Sequence, residues 1–240
     1  MTTARAPELT VYDEPHGCHY LPDRTARLPL RFPIRRLAPA ELDQSFAEGD
    51  RRQGALLYRA QCPGCVACEP IRVDIEAFRE SKTHKRVIAA GARAFDVTVE
   101  RPAYADDKLA VYELHKRGRG LDTGDSALDA RGYRSFLVDT CCDTVEITLR
   151  DRATGRLVAV ALADRGATSL SAVYCHWDPA YSRLSPGAFA ILREVALCRR
   201  WGLRWLYLGL YVEGNAHMAY KARWFPHERL IAGEWRRFEG

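Results

Sequence analysis

The chain has 240 residues, 47% apolar and 28% charged, with a net charge of +5 at pH 7. That is ordinary globular composition at a length that supports a sizeable core, so folding needs no disulfide or metal staple. The mild positive charge does not by itself imply nucleic acid. The first residues lack the apolar run of a secretory signal, and no stretch nears the roughly 20 apolar residues of a membrane span. The expected protein is soluble, cytoplasmic and monomeric.

The first 40 residues are rich in Pro and Arg and read as extended chain or loop. A short helix is expected over 38–50, with Pro39 near its start and Gly49 as its stop. "GALLYRA" (54–60) reads as a strand leading into "CPGCVAC" (62–68). "EPIRVDIEAF" (69–78) alternates Ile71, Val73 and Ile75 with polar residues, a strand pattern. A basic helix follows over 80–94, which Gly91 is expected to end early, and then a strand over 95–102. Helices are expected over 105–120 and 130–140, with loop at 121–129.

Three strand runs, 144–151, 156–164 and 168–178, are separated by Gly-containing turns and predict an antiparallel meander. "LSPGAFAILREVALCRRWG" (184–202) is the strongest helix, with Ser185 as N-cap, Pro186 at the first position and Gly202 as stop. An apolar strand at 203–212, a turn and short helix at 213–225, and a final strand or edge segment at 228–238 follow. Meander, helix, strand, helix, strand is the order of the Gcn5-related acetyltransferase (GNAT) core. The expected class is therefore α+β: an N-terminal cysteine-containing region, 1–100, followed by a GNAT-like core of mainly antiparallel sheet, 101–240.

Several segments carry candidate chemistry. The Ser185–Pro186–Gly187 helix start offers free N–H groups to an anion. Pro186 removes one N–H that a coenzyme A pyrophosphate would use, which argues against that cofactor. In "YCHWD" (174–178), Tyr174, His176 and Asp178 alternate and are expected on one side of a strand tip, where acid–base groups belong. "MAYKARW" (218–224) brings Tyr220 and Lys221 together after the last strong strand. Cys141, Cys142, Cys175 and Cys198 lie in apolar or strand-like runs and read as buried small hydrophobes. The Cys62, Cys65 and Cys68 spacing suits zinc or an iron–sulfur cluster if a fourth ligand is found. Cys18 is the best candidate, with His16 and His19 as alternatives.

Taken together these segments resemble the arginyl-tRNA–protein transferase family, most closely its bacterial leucyl-tRNA–protein transferase branch. The resemblance runs from about residue 11 to 235. It is carried by "GCHYLPDR" (17–24), "LLYRAQCPGCVACEPIRVDIEAFRESKTHKR" (56–86), "LSAVYCHWDP" (170–179), "YLGLYV" (207–212) and "HMAYKARWFPHE" (217–228). It implies transfer of Leu or Arg from a charged tRNA to the α-amine of proteins beginning with Asp or Glu, which marks them for degradation. Aminoacyl-tRNA is then the co-substrate, and no cofactor is required for the chemistry. An iron–sulfur cluster or zinc on Cys18, Cys62, Cys65 and Cys68 is a further implication, drawn from relatives outside the bacterial branch. The tRNA ester is already activated, so the enzyme must align a neutral amine and stabilise an oxyanion. Tyr174, Asp178 and Lys221 are the expected catalytic groups. Arg51, Arg52, Arg72, Lys82, Lys85, Arg86, Ser185, Gly187, Tyr211 and Tyr220 are the expected substrate and tRNA contacts. The competing readings are a coenzyme A-dependent acyltransferase and a non-enzymatic tRNA-binding metal module.

Overall fold

The structure, a computed structural model, describes residues 6–120 and 128–240. Four short strands, β1 (Glu8–Tyr12), β2 (His16–Gly17), β3 (Thr25–Ala26) and β4 (Leu30–Pro33), lead to α1 (Pro39–Ala47). β5 (Arg51–Gln53), β6 (Leu56–Tyr58), β7 (Glu69–Asp74), α2 (Lys82–Ala94) and β8 (Phe95–Glu100) follow. Next come α3 (Asp106–Gly118) and α4 (Ala130–Tyr133), which runs on into a π turn, Arg134–Val138. The meander is β9 (Thr144–Asp151), β10 (Leu157–Arg165) and β11 (Ser169–Trp177). A 3-10 turn, Pro179–Leu184, precedes α5 (Pro186–Trp201) and β12 (Trp205–Tyr211). α6 (Ala216–Ala219), a 3-10 turn at Tyr220–Arg223, and the hairpin of β13 (His227–Ile231) and β14 (Glu234–Phe238) close the chain.

Among the described residues, one eight-stranded sheet has the order β14-β13-β7-β12-β11-β10-β9-β8, and β1-β4-β6-β5 form a second, four-stranded sheet. Every pairing in both is antiparallel except β11 with β12. The expected α+β class and meander are therefore present. β10 is buried along eight of its nine residues because helices cover both faces of the sheet. α5 and α2 pack one face through Phe189, Val195, Val87 and Ile88 onto Ile71, Ala161 and Leu206. α3 and α4 cover the meander's other face through Tyr112, Tyr133 and Leu162. α1 and β6 pack on Tyr207, which alternates with Leu206 and so lies on the face opposite α5.

Several local details correct or refine the expectation. α2 runs through Gly91 because the missing side chain lets Phe189 in: a Cβ there would sit 2.4 Å from the Phe189 ring. Ser185 occupies the N-cap position with φ 52° and makes no side-chain capping bond. The final strand is a hairpin, turned by Ala232 and Gly233 at φ 52° and 84°. The Arg- and Pro-rich start contributes β1 and β4, paired from Glu8↔Pro33 to Tyr12↔Leu30. Residue 100 is also not a sheet boundary, since β7 and β8 belong to the same sheet as the meander. Residues 121–127 of the expected 121–129 loop lie outside the described residues.

One feature of this sheet positions the site. β11 and β12 pair at Ser169↔Trp205, Leu170↔Leu206 and Ser171↔Tyr207, and there the pairing ends. Each strand has a register shift just beyond, at Val173 in β11 and at Leu208 in β12. Bulges bend and twist a strand, and here they part the two. The opening that results exposes backbone groups that other elements must satisfy.

Candidate active site

Two cations enter that opening. Arg51, on β5 of the small sheet, donates through Nη1 to Ser171 Oγ at 2.8 Å and through Nη2 to the Ala172 carbonyl at 2.6 Å. Its charge also pulls on the nearby Tyr58 hydroxyl, against the burial that raises that group. On the β12 side, Lys221 Nζ donates to the Leu210 carbonyl at 2.8 Å and lies 3.5 Å from Met218 Sδ. The two meet at Gly209, where a Cβ would be 3.2 Å from Arg51 Nη2 and 3.4 Å from Lys221 Nζ. Gly209 has φ +89°, so both its backbone and its surroundings call for glycine.

Burial, with the like charge of Arg51 adding to it, pushes the Lys221 ammonium down to about 7, against a weaker opposing pull from Cys68. Lys221 is 8% exposed. A lysine in that state keeps a substantial neutral fraction near pH 7, with a lone pair free to take a proton. Glu194, on α5, is 2% exposed, and its Oε2 has no hydrogen-bond partner. Burial pushes its carboxyl up to about 8, against a pull from Arg51. Tyr220 is 41% exposed as a residue, but its hydroxyl end is desolvated enough to be raised to about 12, and it senses Cys175, Glu194 and Arg119.

The four expected cysteine ligands gather beside this opening. Burial pushes the Cys68 thiol up to about 12, and Cys62, Cys18 and Cys65 each add to the rise. Cys18 Sγ accepts from the N–H groups of Tyr20 and Leu21, and Cys62 Sγ accepts from that of Arg27. His16 Nδ1 lies 3.4 Å from the Glu14 carbonyl. Among the described residues no three His, Cys, Asp or Glu side chains converge as metal ligands would. The described thiols as placed do not form a metal cage. Cys141, Cys142 and Cys198 are buried, as expected for small hydrophobes, and Cys175 is half-buried.

The remaining expected residues are used elsewhere. Asp178 ends β11 as a cap: Oδ1 accepts from the Ala180 N–H at 3.0 Å, and Oδ2 from Arg156 at 2.8 Å. Tyr174 and His176 do share a face, in a cluster with Tyr112 and Phe136. Burial raises the Tyr174 hydroxyl and pushes His176 down to about 3, so His176 is a neutral core group. Arg52 is buried against Asp164 at 2.6 Å, and is no surface phosphate contact. Arg72 is stacked between Trp205 and Trp235, 3.8 and 4.0 Å from their centroids, and pairs with Glu228. The Tyr211 ring lies 4.6 Å from the Arg229 guanidinium. Gly187 packs against the Trp177 indole, 3.3 Å from where its Cβ would stand.

Lys82, Lys85 and Arg86 are exposed at positions of α2 that share one helical face. Arg86 borders a groove with Thr83, Arg183 and Ser185 at the start of α5. Sequence reasoning missed Glu194 and Tyr58. The signal for Glu194 was present, since it lies one turn from both Ala190 and Cys198 on the buried stripe of α5.

In this mixed fold of mainly antiparallel sheet, a parallel strand pair parts beside a buried lysine and arginine, over a central helix. Family comparison gives the class. Residues 16–86 match the arginine-tRNA-protein transferase N terminus and 107–231 match the arginine-tRNA-protein transferase C terminus. The chain belongs to the arginine-tRNA-protein transferase family. It is 36% identical to an aspartate/glutamate leucyltransferase of Aeromonas hydrophila subsp. hydrophila, over 93% of this chain and 92% of that one. It is 34% identical to one of Gluconacetobacter diazotrophicus, over 98% and 89%. A crystal structure of FemX matches at 11% identity with TM-score 0.49, covering 76% of this chain and 64% of that chain. No helix among the described residues is long and apolar enough to cross a membrane.

Proposed function

We propose that this chain transfers an aminoacyl group from a charged tRNA to the N-terminal α-amine of a protein whose first residue is Asp or Glu. The observation that carries this reading is the convergence of Lys221 and Arg51 at Gly209, in the opening between β11 and β12. In the transfer, the amine nitrogen attacks the ester carbonyl, a C–N bond forms, and the ester C–O bond to the tRNA ribose breaks. The proton leaving the amine passes to neutral Lys221 and then to the departing ribose oxygen. Arg51 holds a fixed positive charge where the oxyanion develops. Its bonds to Ser171 and Ala172 lock it in place, so no reorganisation is needed at the moment of reaction.

The acidic first residue of the acceptor calls for a cation at the mouth. Arg119 suits that role, as it reaches Tyr220 electrostatically and its guanidinium lies 3.1 Å from His217 Nδ1. The exposed Lys82, Lys85 and Arg86 would meet tRNA phosphates.

The test is a transfer assay with charged tRNA pools and peptides beginning with Asp, Glu or Ala. Labelled Leu or Arg is expected on the acidic peptides only. No transfer from either donor to either acidic peptide sinks the reading.

A further inference from the structure

Glu194 has no task in the step just described, and its surroundings do not explain it. It lies eight residues past Pro186, about 12 Å along α5. The charges that its carboxyl acts on or senses belong to Arg51, Cys175, Cys198 and Tyr220. Cys175 lies four residues past Ser171, where β11 and β12 last pair. Tyr220 follows β12 and is next to Lys221. On α5, which packs against β11, the carboxyl is buried with one oxygen unpartnered, and its charge is felt by Cys175 on β11 and by Tyr220 beyond β12. Among the described residues Arg51 is the one cation whose charge is felt there, and its guanidinium is spent on Ser171 and Ala172.

A buried carboxyl with a free oxygen is costly to ionise and useless for lining an apolar pocket. A helix that only had to pack here would carry Leu or Met, as the flanking Leu192 and Val195 show. What such a group fits is a cation delivered by the ligand. Of the two donors the family reading allows, only one brings a cationic side chain.

We propose that Glu194 is a specificity-determining residue that receives the guanidinium of the transferred amino acid, so that this chain prefers arginyl-tRNA to leucyl-tRNA. The inference rests on the aminoacyl-transfer reading above. The guanidinium fork suits a carboxylate bidentately. In the free protein the carboxyl holds its proton near pH 7. Binding the guanidinium expels that proton to solvent, so capture of the arginyl donor strengthens as pH rises toward 8. Leucyl capture has no such dependence through this group. A site built for a polar partner rejects an analogue lacking it by about 10²-fold or more.

The experiment compares kcat/KM for arginyl-tRNA and leucyl-tRNA, on a peptide beginning with Asp, in the wild type and in Glu194→Gln. Glutamine keeps the shape of the protonated acid, and thermal unfolding at pH 6 checks that the variant is folded. The expected result is a wild-type preference for arginyl-tRNA that grows from pH 6.5 to 8.5. In Glu194→Gln the arginyl rate falls at least about 30-fold while the leucyl rate stays within about 3-fold. A wild-type preference for leucyl-tRNA overturns the proposal, as does an unchanged donor ratio in the folded variant. No transfer from either donor overturns the aminoacyl-transfer reading itself, and this inference with it.

Discussion

Arg51 Nη2 donates to the carbonyl of Ala172 at 2.6 Å, one residue beyond the last position at which β11 pairs with β12. An arginine from the small sheet thus takes the place of the missing strand neighbour. It satisfies the backbone and leaves a cation in the opening. Arg51→Met removes both functions, leaves the Ala172 carbonyl unpaired, and is expected to cut transfer at least about 100-fold. Because Arg51 also depresses Lys221, the pH dependence of the variant's residual activity should shift upward. A pH–rate profile of the variant checks this.

Lys221 sets the pH behaviour of both rate and stability. Transfer should rise as pH passes through about 7, where Lys221 loses its proton, and Lys221→Met should abolish the transfer and its rise together. For stability, the folded state binds fewer protons than the unfolded chain from about 7 up to the ordinary lysine value of 10.5. Stability therefore increases with pH across that window. Glu194 acts the opposite way between 4.5 and about 8, because there the folded state binds more protons and stability falls as pH rises. Melting temperatures of wild type and Lys221→Met at pH 6.5 and 9.5 separate the two. The variant should lose the gain at high pH.

Arg72 is a structural cation. Its guanidinium lies between two indoles and pairs with Glu228, so Arg72→Ala leaves a half-buried carboxylate and an empty slot. The expected cost is about 3 kcal/mol in denaturant unfolding. Affinity for tRNA, measured on the folded fraction, should be unchanged.

The exposed face of α2 is the opposite case. Lys82→Ala, Lys85→Ala and Arg86→Ala together should leave the melting temperature within about 2 °C, since these side chains touch little of the core. tRNA affinity should fall, and the slope of log K against log salt should become shallower by about 2 to 3. Filter binding at several salt concentrations reads both.

Gly91→Ala tests the helix pair. Phe189 is 1% exposed and packs on Phe95 at 5.8 Å between centroids, so it has little room to retreat from a new methyl group. A loss of about 1–3 kcal/mol is expected, with transfer on the folded fraction unchanged.

Much of this fold was legible in the sequence because its elements have strong local signals. The meander is marked by Gly-containing turns, and α5 by Pro186 and Gly202. Local pattern singled out Lys221, Tyr220 and the cysteines before the family motifs were reached. What could not be read was partnership across the chain. Nothing in "DRRQ" tells that Arg51 crosses to Ser171 or that Arg52 crosses to Asp164; basic residues at a strand start look like surface charge until the two sheets meet. Asp178 looked catalytic because alternation places it with Tyr174, yet the strand ends at Trp177 and the next residue caps a turn. Glu194 was hidden by convention, since an acid inside a helix is read as solvent-facing unless the stripe it interrupts is counted.

β7 joins β12 on one side and β13 on the other, although some 130 residues of chain separate it from the first of them. A strand made early therefore waits, unpaired on both edges, for partners that a ribosome delivers near the end of synthesis. Until β12 emerges, Ile71 and Val73 have no sheet to join. The polypeptide should stay protease-sensitive through most of its translation and gain resistance late, in a single step, as β12 and β13 close around that strand.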